Sequence, residues 1–525
     1  MALVGALQAS RRFVAHASWR PSLSAGWLVA TGVVLHLVLA ASTALSPDEA
    51  HYALYGEHPD WSYFDHPPLV GWLQAPFVAA SGHDLPMRVV PMLAWLVAVR
   101  LMMALCRRLP MAADGDRPDA ARVDGWVALM MLASPMLNLL GVALVPDTLL
   151  MALVPAVMSV TWSLRSPAIA SGQARWLLLA LLLGLCLLSK YTGLFVVLGA
   201  LLSLSRFHGA SLLRRRGAWT CALVVVALAS PVLAWNVQNH WASVAYQFAH
   251  SIGNQDWSWR SVLRAVLLQL ALYGLLLPIA AARAWRARAR FGAAGPRSDA
   301  GDARALVLAF AVPLLVVFAA MAGRGCSLPH WTACGWVALV PLAVAGVLRM
   351  GPRGVGALVL WQAALLVAIL GVVLTGGPGT EAGAAATSAA GVRTVGKHPN
   401  PVADLVGWQA AAEHGAGLVG QHRARGLAVM NWSLASRLAW YARPMPVFVV
   451  PDHDDQFRLW FGALRAGDSA VVVDWSSMPL AVPMGPAGFR TCRPLDQLPT
   501  LFDGRQLAHF SYLLCEHWRD ADPRH

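Results

Sequence analysis

Charge is scarce in this chain. Asp, Glu, Lys and Arg together make up only 13% of its 525 residues, against 57% hydrophobic residues. The mean hydropathy is +0.54, which excludes an ordinary soluble protein of this size. Apolar runs of about 17–25 residues read as membrane helices, and the chain has roughly eleven of them. Lysine is rarer still: Lys190 and Lys397 are the only two, and every other basic residue is Arg. The formal charge of +13 does not point to nucleic acid. The arginines lie in short tails between apolar runs, not on one basic face, and that is the positive-inside distribution. No CxxC pair occurs among Cys106, Cys186, Cys221, Cys326, Cys334, Cys492 and Cys515, which argues against a structural zinc or thiol-redox site. Cys492 and Cys515 both fall in the polar C-terminal region and could pair if that region lies outside the cytoplasm. There is no phosphate loop and no repeat indicating a second copy of the fold.

What the chain does have is one dense polar stretch, residues 46–73, SPDEAHYALYGEHPDWSYFDHPPLVGWL. It follows the first apolar run, from about Trp27 to Leu45, and precedes the second, from about Pro86 to Leu105. It holds Asp48, Glu49, Glu57, Asp60 and Asp65, with His51, His58 and His66 among Trp and Tyr residues. Arg11, Arg12 and Arg20 put the N-terminus inside, and so this loop outside. A cleaved signal peptide ending near Ala40–Ala44 is the alternative reading of the first run.

Further spans are expected over about 126–145, then from Pro146-Asp147 to near Arg165. Residues 176–206 begin and end on the basic side, with only about 30 residues to go out and return. At 1.5 Å per residue each leg covers roughly 21 Å, short of a bilayer core of about 30 Å. The turn Ser189-Lys190-Tyr191-Thr192-Gly193 therefore sits below the outer surface, and Lys190 faces a protein cavity or water. One long helix with a snorkelling lysine is the alternative. Then come a span over about 218–235, an aromatic outer loop over 236–260, a span to about 282, and a basic inner loop over 283–304. A span over 305–322 exits at Gly323-Arg324-Gly325; the next returns past Pro329-His330-Trp331 to Arg349, and the last covers about 355–374. The composition then changes. A Gly/Ala-rich linker (376–396) leads to a segment, 397–525, with short apolar runs at 426–430, 447–450 and 470–473 and an amphipathic helix at 433–441. The expected fold is mainly α: a polytopic helical bundle (1–375, first outer loop 46–85) with a small C-terminal α/β domain outside the membrane.

The stretch 46–73 resembles the first outer loop of the GT-C glycosyltransferases of families 39 and 83, the dolichyl-phosphate-mannose and aminoarabinose transferase types. The resemblance rests on Asp48-Glu49 just after the first span and on Tyr63-Phe64-Asp65-His66-Pro67-Pro68. In order, Pro146-Asp147, Leu188-Ser189-Lys190-Tyr191-Thr192, Ser230-Pro231 through Trp235-Asn236, His240-Trp241-Ala242, Pro329-His330-Trp331 and 455–460 (DQFRLW) extend it over most of the chain. The aminoarabinose-type enzymes carry Arg near the position of His51 and Lys at that of His66, so this chain departs from them at both.

The resemblance implies a multi-pass protein of a bacterial inner membrane, with the N-terminus cytoplasmic and the C-terminal domain periplasmic. It implies transfer of a sugar from a polyprenyl-phosphate donor to an envelope lipid, glycan or protein acceptor. That chemistry needs a carboxylate near the attacking hydroxyl and cations on the departing phosphate. Asp48 is the expected catalytic carboxylate, or else a helix cap, and Glu49 its supporting residue or a cap partner. Lys190 is the first candidate for the phosphate; His66, His330 and Arg324 follow. Asp147, Asp65 and Tyr63 are expected to line the site. Asp48, Asp65 and His66 could also hold a divalent metal. Two other function classes compete. A secondary transporter or lipid-carrier flippase would show inverted repeats and interrupted helices at the midplane. A receptor or scaffold anchored by its bundle would need neither Lys190 nor Asp147 within the spans.

Overall fold

The computed structural model describes residues 24–81, 83–110, 119–252, 256–290, 298–325, 327–377, 400–450 and 455–519. The expected linker falls almost wholly on 378–399, outside the described residues. The membrane part comprises α1 (Ala25–Ser42), α2 (Pro47–Glu57), α3 (Leu69–Ala80), α4 (Val89–Arg108), α5 (Ala120–Ala133), α6 (Pro135–Val142) and α7 (Pro146–Ser163). It continues with α8 (Ala174–Ser189), α9 (Gly193–His208), α10 (Arg216–Gln238), α11 (Ala242–Ile252), α12 (Trp259–Tyr273), α13 (Leu276–Arg290) and α14 (Asp299–Ala322), then α15 (Ala333–Ala338), α16 (Val340–Val347) and α17 (Pro352–Thr375). Among the described residues six helices are long and apolar enough to cross a membrane, or nine spans if each of three bent pairs is one span. The expected count was roughly eleven; α7, with 18 residues, is not among these candidates, and α8, with 16, is apolar but shorter than a span.

The bends have local causes. α5 and α6 meet at 78° across Ser134-Pro135, where proline opens the next helix. α12 and α13 meet at 101° at Gly274, whose φ of +83° a side chain would resist. Gln362 of α17 fills that corner, accepting from Leu276 N at 2.9 Å and donating to Ala133 O at 3.2 Å. α8 and α10 pack closely because Gly184 leaves no room for a Cβ beside Leu228. The segment 236–260, expected as an outer loop, contains a helix, α11.

The C-terminal part holds α18 (Trp408–His422), β1 (Leu427–Val429), α19 (Trp432–Tyr441), β2 (Val447–Val449), α20 (Gln456–Phe461), β3 (Ala470–Trp475), β4 (Thr491–Phe502) and β5 (Arg505–Glu516). The sheet order is β2-β1-β3-β5-β4. The first three strands are parallel, as their buried, β-branched composition suggests; β5 and β4 are antiparallel. Cys492 lies opposite Cys515 in the β4–β5 ladder, and the two form a disulfide.

The segment 46–85 is held between these two parts. Tyr52 and Tyr55 of α2 belong to the bundle core, while Ala50, Ala53 and Leu54 belong to the core of the C-terminal part. Hydrogen bonds fix the contact: Tyr441 Oη to Asp84 Oδ2 at 2.6 Å, Trp440 Nε1 to Asp84 Oδ1 at 3.0 Å, and Phe64 N to Gln456 Oε1 at 2.7 Å.

Candidate active site

Local rules aim the Asp48-Glu49 pair. Ser46 is the N-cap of α2, with Pro47 in the first turn. Its Oγ accepts from Glu49 N at 3.3 Å, and Glu49 Oε2 accepts from Ser46 N at 3.0 Å. This capping box assigns the cap to Ser46, so the alternative of Asp48 as cap is corrected. The box turns Glu49 inward, where Arg88 donates to it from Nε at 2.8 Å and from Nη2 at 3.2 Å. Arg88 also donates to the carbonyls of Ala40, Thr43 and Ala44, tying down the C-terminus of α1. Glu49 is thus placed in a buried ion pair and does not line the cavity described below. Asp48, one residue earlier, does, together with Tyr52 four residues on; this spacing puts both on one helix face. Among the described residues the Asp48 carboxylate has no hydrogen bond or ion pair.

Asp65 sits at the opposite wall. Its Oδ1 accepts from the Tyr55 hydroxyl and lies 3.5 Å from His51 Nε2; its Oδ2 lies 3.1 Å from His66 Nδ1. His51 Nδ1 is in turn 3.2 Å from Ser436 Oγ of the C-terminal part. Burial alone would raise the Asp65 pKa, but His51 and His66 outweigh it and hold the carboxyl well below its usual range. Burial, reinforced by the charge of Asp65, pushes the Tyr52 and Tyr55 phenols up, so both stay protonated. Tyr63 is fully buried, stacked on Tyr55 at 3.5 Å and donating to Tyr55 O at 2.8 Å. It supports the wall from behind.

The third wall comes from the short legs. α8 and α9 have 16 residues each, so each rises about 24 Å, and the chain breaks between them at Lys190. One long helix is thereby excluded. Ser189 Oγ donates to Pro146 O at 2.8 Å, joining the turn to the start of α7. There Lys190 Nζ donates to Asp147 Oδ2 at 2.6 Å; Lys190 is 6% exposed and Asp147 is fully buried. His330 Nε2 lies 3.8 Å from the same oxygen, and the Trp331 ring lies 5.6 Å from the ammonium, within cation–π range. Asp147 in the first turn of α7 also suits the positive end of that helix.

These walls enclose a cavity of about 450 Å³. Asp48, Tyr52, Asp65, His66, Lys190 and His330 line it. Its remaining wall is apolar, with Leu194, Phe195, Val317, Phe318 and Leu328. Leu194 is 60% exposed and Leu328 48%, so this wall continues onto the outer apolar surface of the bundle. Tyr246 and Gln247 of α11 and Trp432 of α19 close the top. Burial, with the Asp65 and Asp48 carboxylates nearby, pushes the Tyr246 phenol up to about 12.

The structure thus brings Asp48, Asp65, His66, Lys190 and His330 to one cavity, with Asp147 directly behind Lys190. Glu49 and Tyr63 lie outside its lining, and Arg324 is exposed beyond it. Sequence reasoning missed Arg88, Tyr52, Tyr246 and Trp432. Arg88 had one available signal, a lone arginine on the outer side of a span. His51 and His66 are both engaged with Asp65, and among the described residues no three His, Cys, Asp or Glu groups converge as a metal site.

Comparison with known proteins agrees with this geometry. Residues 65–235 match the dolichyl-phosphate-mannose-protein mannosyltransferase family. The lipid A galacturonosyltransferase RgtD of Rhizobium johnstonii is 24% identical over 338 residues, covering 63% of this chain and 67% of that protein. The crystal structure of ArnT from Cupriavidus metallidurans in the apo state superposes with a TM-score of 0.60 at 18% identity, covering 93% of this chain and 98% of that one. The same protein bound to undecaprenyl phosphate gives a TM-score of 0.57 with the same coverage. With its ordered motifs, helical bundle and small sheet-bearing C-terminal part, the chain has the fold of these structures and is similar in sequence to membrane glycosyltransferases of the GT-C type.

Proposed function

We propose that this protein transfers a sugar from a polyprenyl-phosphate donor to a lipid A-type envelope lipid on the periplasmic side of the inner membrane. One observation carries the reading. An unpartnered carboxylate, Asp48, shares a cavity with a buried cation, Lys190, and the rest of that cavity is an apolar wall reaching the lipid-facing surface. Sugar, phosphate and polyprenyl tail each find a suitable surface there.

In the proposed reaction the acceptor hydroxyl attacks the anomeric carbon. Its proton passes to Asp48, acting as general base. The new carbon–oxygen bond forms as the bond to the phosphate oxygen breaks, with inversion at that carbon. The electron pair stays on the phosphate, whose growing charge meets Lys190. Asp147 holds the Lys190 ammonium in place through its 2.6 Å hydrogen bond. The tail lies along Leu194, Phe195 and Phe318. Asp65, fixed by His51 and His66, and Tyr52 offer groups to the sugar.

The proposed topology has the N-terminus and the 283–304 segment cytoplasmic and the C-terminal part periplasmic, with domains at 1–375 and 397–525 about a 376–396 linker. The Arg distribution supports it, and so does the Cys492–Cys515 disulfide, since disulfides persist in oxidising compartments. The similarity to RgtD, named a lipid A galacturonosyltransferase, supports a lipid acceptor. The test is a glycolipid mass profile of the host membrane with and without this protein. Loss of a lipid A species heavier by one glycosyl residue supports the reading. An unchanged lipid A profile with a changed glycoprotein or polysaccharide profile contradicts the acceptor.

A further inference from the structure

A second concavity lies at the other end of the bundle. The segment from His330 through α15 and α16 runs from the catalytic cavity to Met350, and there a groove of about 860 Å³ opens between α12, α13 and the start of α17. It exists because α13 swings away from α12 by 101° at Gly274. The groove is larger than the catalytic cavity but has no carboxylate in its lining, so it is not a second transfer site. Its floor is apolar, with Leu270, Leu275, Ile279 and Met350; its rim carries Arg283, Arg286 and Arg353.

These three arginines differ from others at the same end. Arg165 pairs with Asp299 at 2.7 Å, Arg206 with Asp302 at 3.3 Å, and Arg107 with Asp124 at 2.7 Å. Among the described residues Arg283, Arg286 and Arg353 have no acidic partner, and all three are exposed. The N-terminus of α17, a 24-residue helix, reaches the rim at Pro352, and Gly351 and Gly354 leave the space beside it open. Around the groove the surface is that of a lipid-facing protein: Leu267 is 56% exposed, Leu360 70% and Trp361 56%.

We propose that this groove binds one anionic phospholipid, its phosphate between Arg283, Arg286 and Arg353 and its acyl chains along the Leu270–Met350 floor. A free anion would leave the apolar floor unused, and a neutral lipid would leave the three guanidiniums uncompensated. Guanidinium forks suit phosphate oxygens. Basic pockets between membrane helices are a recognised arrangement for anionic headgroups, worth roughly a fivefold gain in affinity per arginine, equivalent to about 1 kcal/mol each. The site is separate from the transfer chemistry and does not depend on its assignment.

The test is native mass spectrometry of the full-length protein in detergent, titrated with phosphatidylglycerol or with phosphatidylethanolamine of the same acyl chains. Wild type should bind one phosphatidylglycerol about 100-fold more tightly than phosphatidylethanolamine. Arg283→Gln/Arg286→Gln/Arg353→Gln should lose about 100-fold of the phosphatidylglycerol affinity and leave the phosphatidylethanolamine affinity unchanged. Arg353→Gln alone, in the exposed first turn of α17, should lose about fivefold and guards against a folding failure of the triple variant. Equal affinities for the two lipids in wild type would overturn the proposal. So would an unchanged phosphatidylglycerol affinity in Arg353→Gln, or displacement of the lipid by millimolar inorganic phosphate.

Discussion

Lys190 and Asp147 allow a sharp separation of structure from catalysis. The two form a buried pair at 2.6 Å, with side chains 8% and 0% exposed. Lys190→Met removes the cation proposed to meet the donor phosphate, but it also strands Asp147 in the bundle. Breaking one side of a buried pair costs about 3–5 kcal/mol of stability, and Asp147 Oδ1 already has no partner. Asp147→Asn should cost a similar amount, because the ammonium is then uncompensated. The double variant Lys190→Met/Asp147→Asn removes both charges and should recover most of the stability, since neutral replacements of buried pairs are often nearly neutral. Catalysis should not recover. A lost charged hydrogen bond to the phosphate is worth about 1.5–3 kcal/mol, or about 10- to 150-fold in kcat/KM. The assay is a thermal unfolding midpoint and a transfer rate against donor concentration, for all four proteins in one detergent. A double variant that regains both stability and wild-type kcat/KM would refute the reasoning and make the pair a matter of packing.

Two further outcomes follow. Arg88→Met should destabilise the protein by about 3–5 kcal/mol, because it leaves Glu49 buried alone and frees three carbonyls at the end of α1. Glu49→Gln should cost less, and its transfer rate should stay within a few-fold of wild type; comparing unfolding midpoints and rates of the two variants checks both statements. His58, half-buried and stacked on Trp460 at 5.1 Å, has its pKa lowered by burial. The folded state therefore binds fewer protons than the unfolded one, so the His58 contribution is present above about pH 6.5 and is lost as pH falls through the folded pKa. The unfolding midpoint of wild type minus that of His58→Gln, followed from pH 8 to pH 5, should fall in that window and stay flat above it.

The sequence and the structure meet where charge interrupts apolar runs. Lys190 and Asp147 were legible because a charge inside a span needs a partner or water, and the short legs were legible from counting residues. Asp48 was set apart from Glu49 in the sequence, but the geometry that separates them was not legible. Neighbouring helix residues point about 100° apart, and which one faces the cavity depends on Arg88, 39 positions along the chain. Tyr63, expected to line the site, lies behind it for a similar reason: the Asp65-His66-Pro67-Pro68 turn folds Tyr63 under Tyr55, and Tyr52 lines the cavity instead. The apolar runs were readable from hydropathy, but the three bends were not, because hydropathy carries no direction. The three parallel strands stood out as buried apolar runs. The β4–β5 hairpin did not, because β4 carries Pro494 and Pro499 and is largely exposed. Proline is tolerated there because β4 is the edge strand.

The central claim is that Asp48 is the general base of a lipid-linked sugar transfer. Its most direct test is the single-turnover transfer rate of Asp48→Asn, measured with purified protein, a polyprenyl-phosphate-sugar donor and a lipid A-type acceptor, alongside donor binding by the same sample. Asn keeps the shape of the side chain but cannot take the proton. The account predicts a rate lower by about 10²–10⁴-fold with donor affinity within a few-fold of wild type. Transfer by Asp48→Asn within a few-fold of wild type would contradict it.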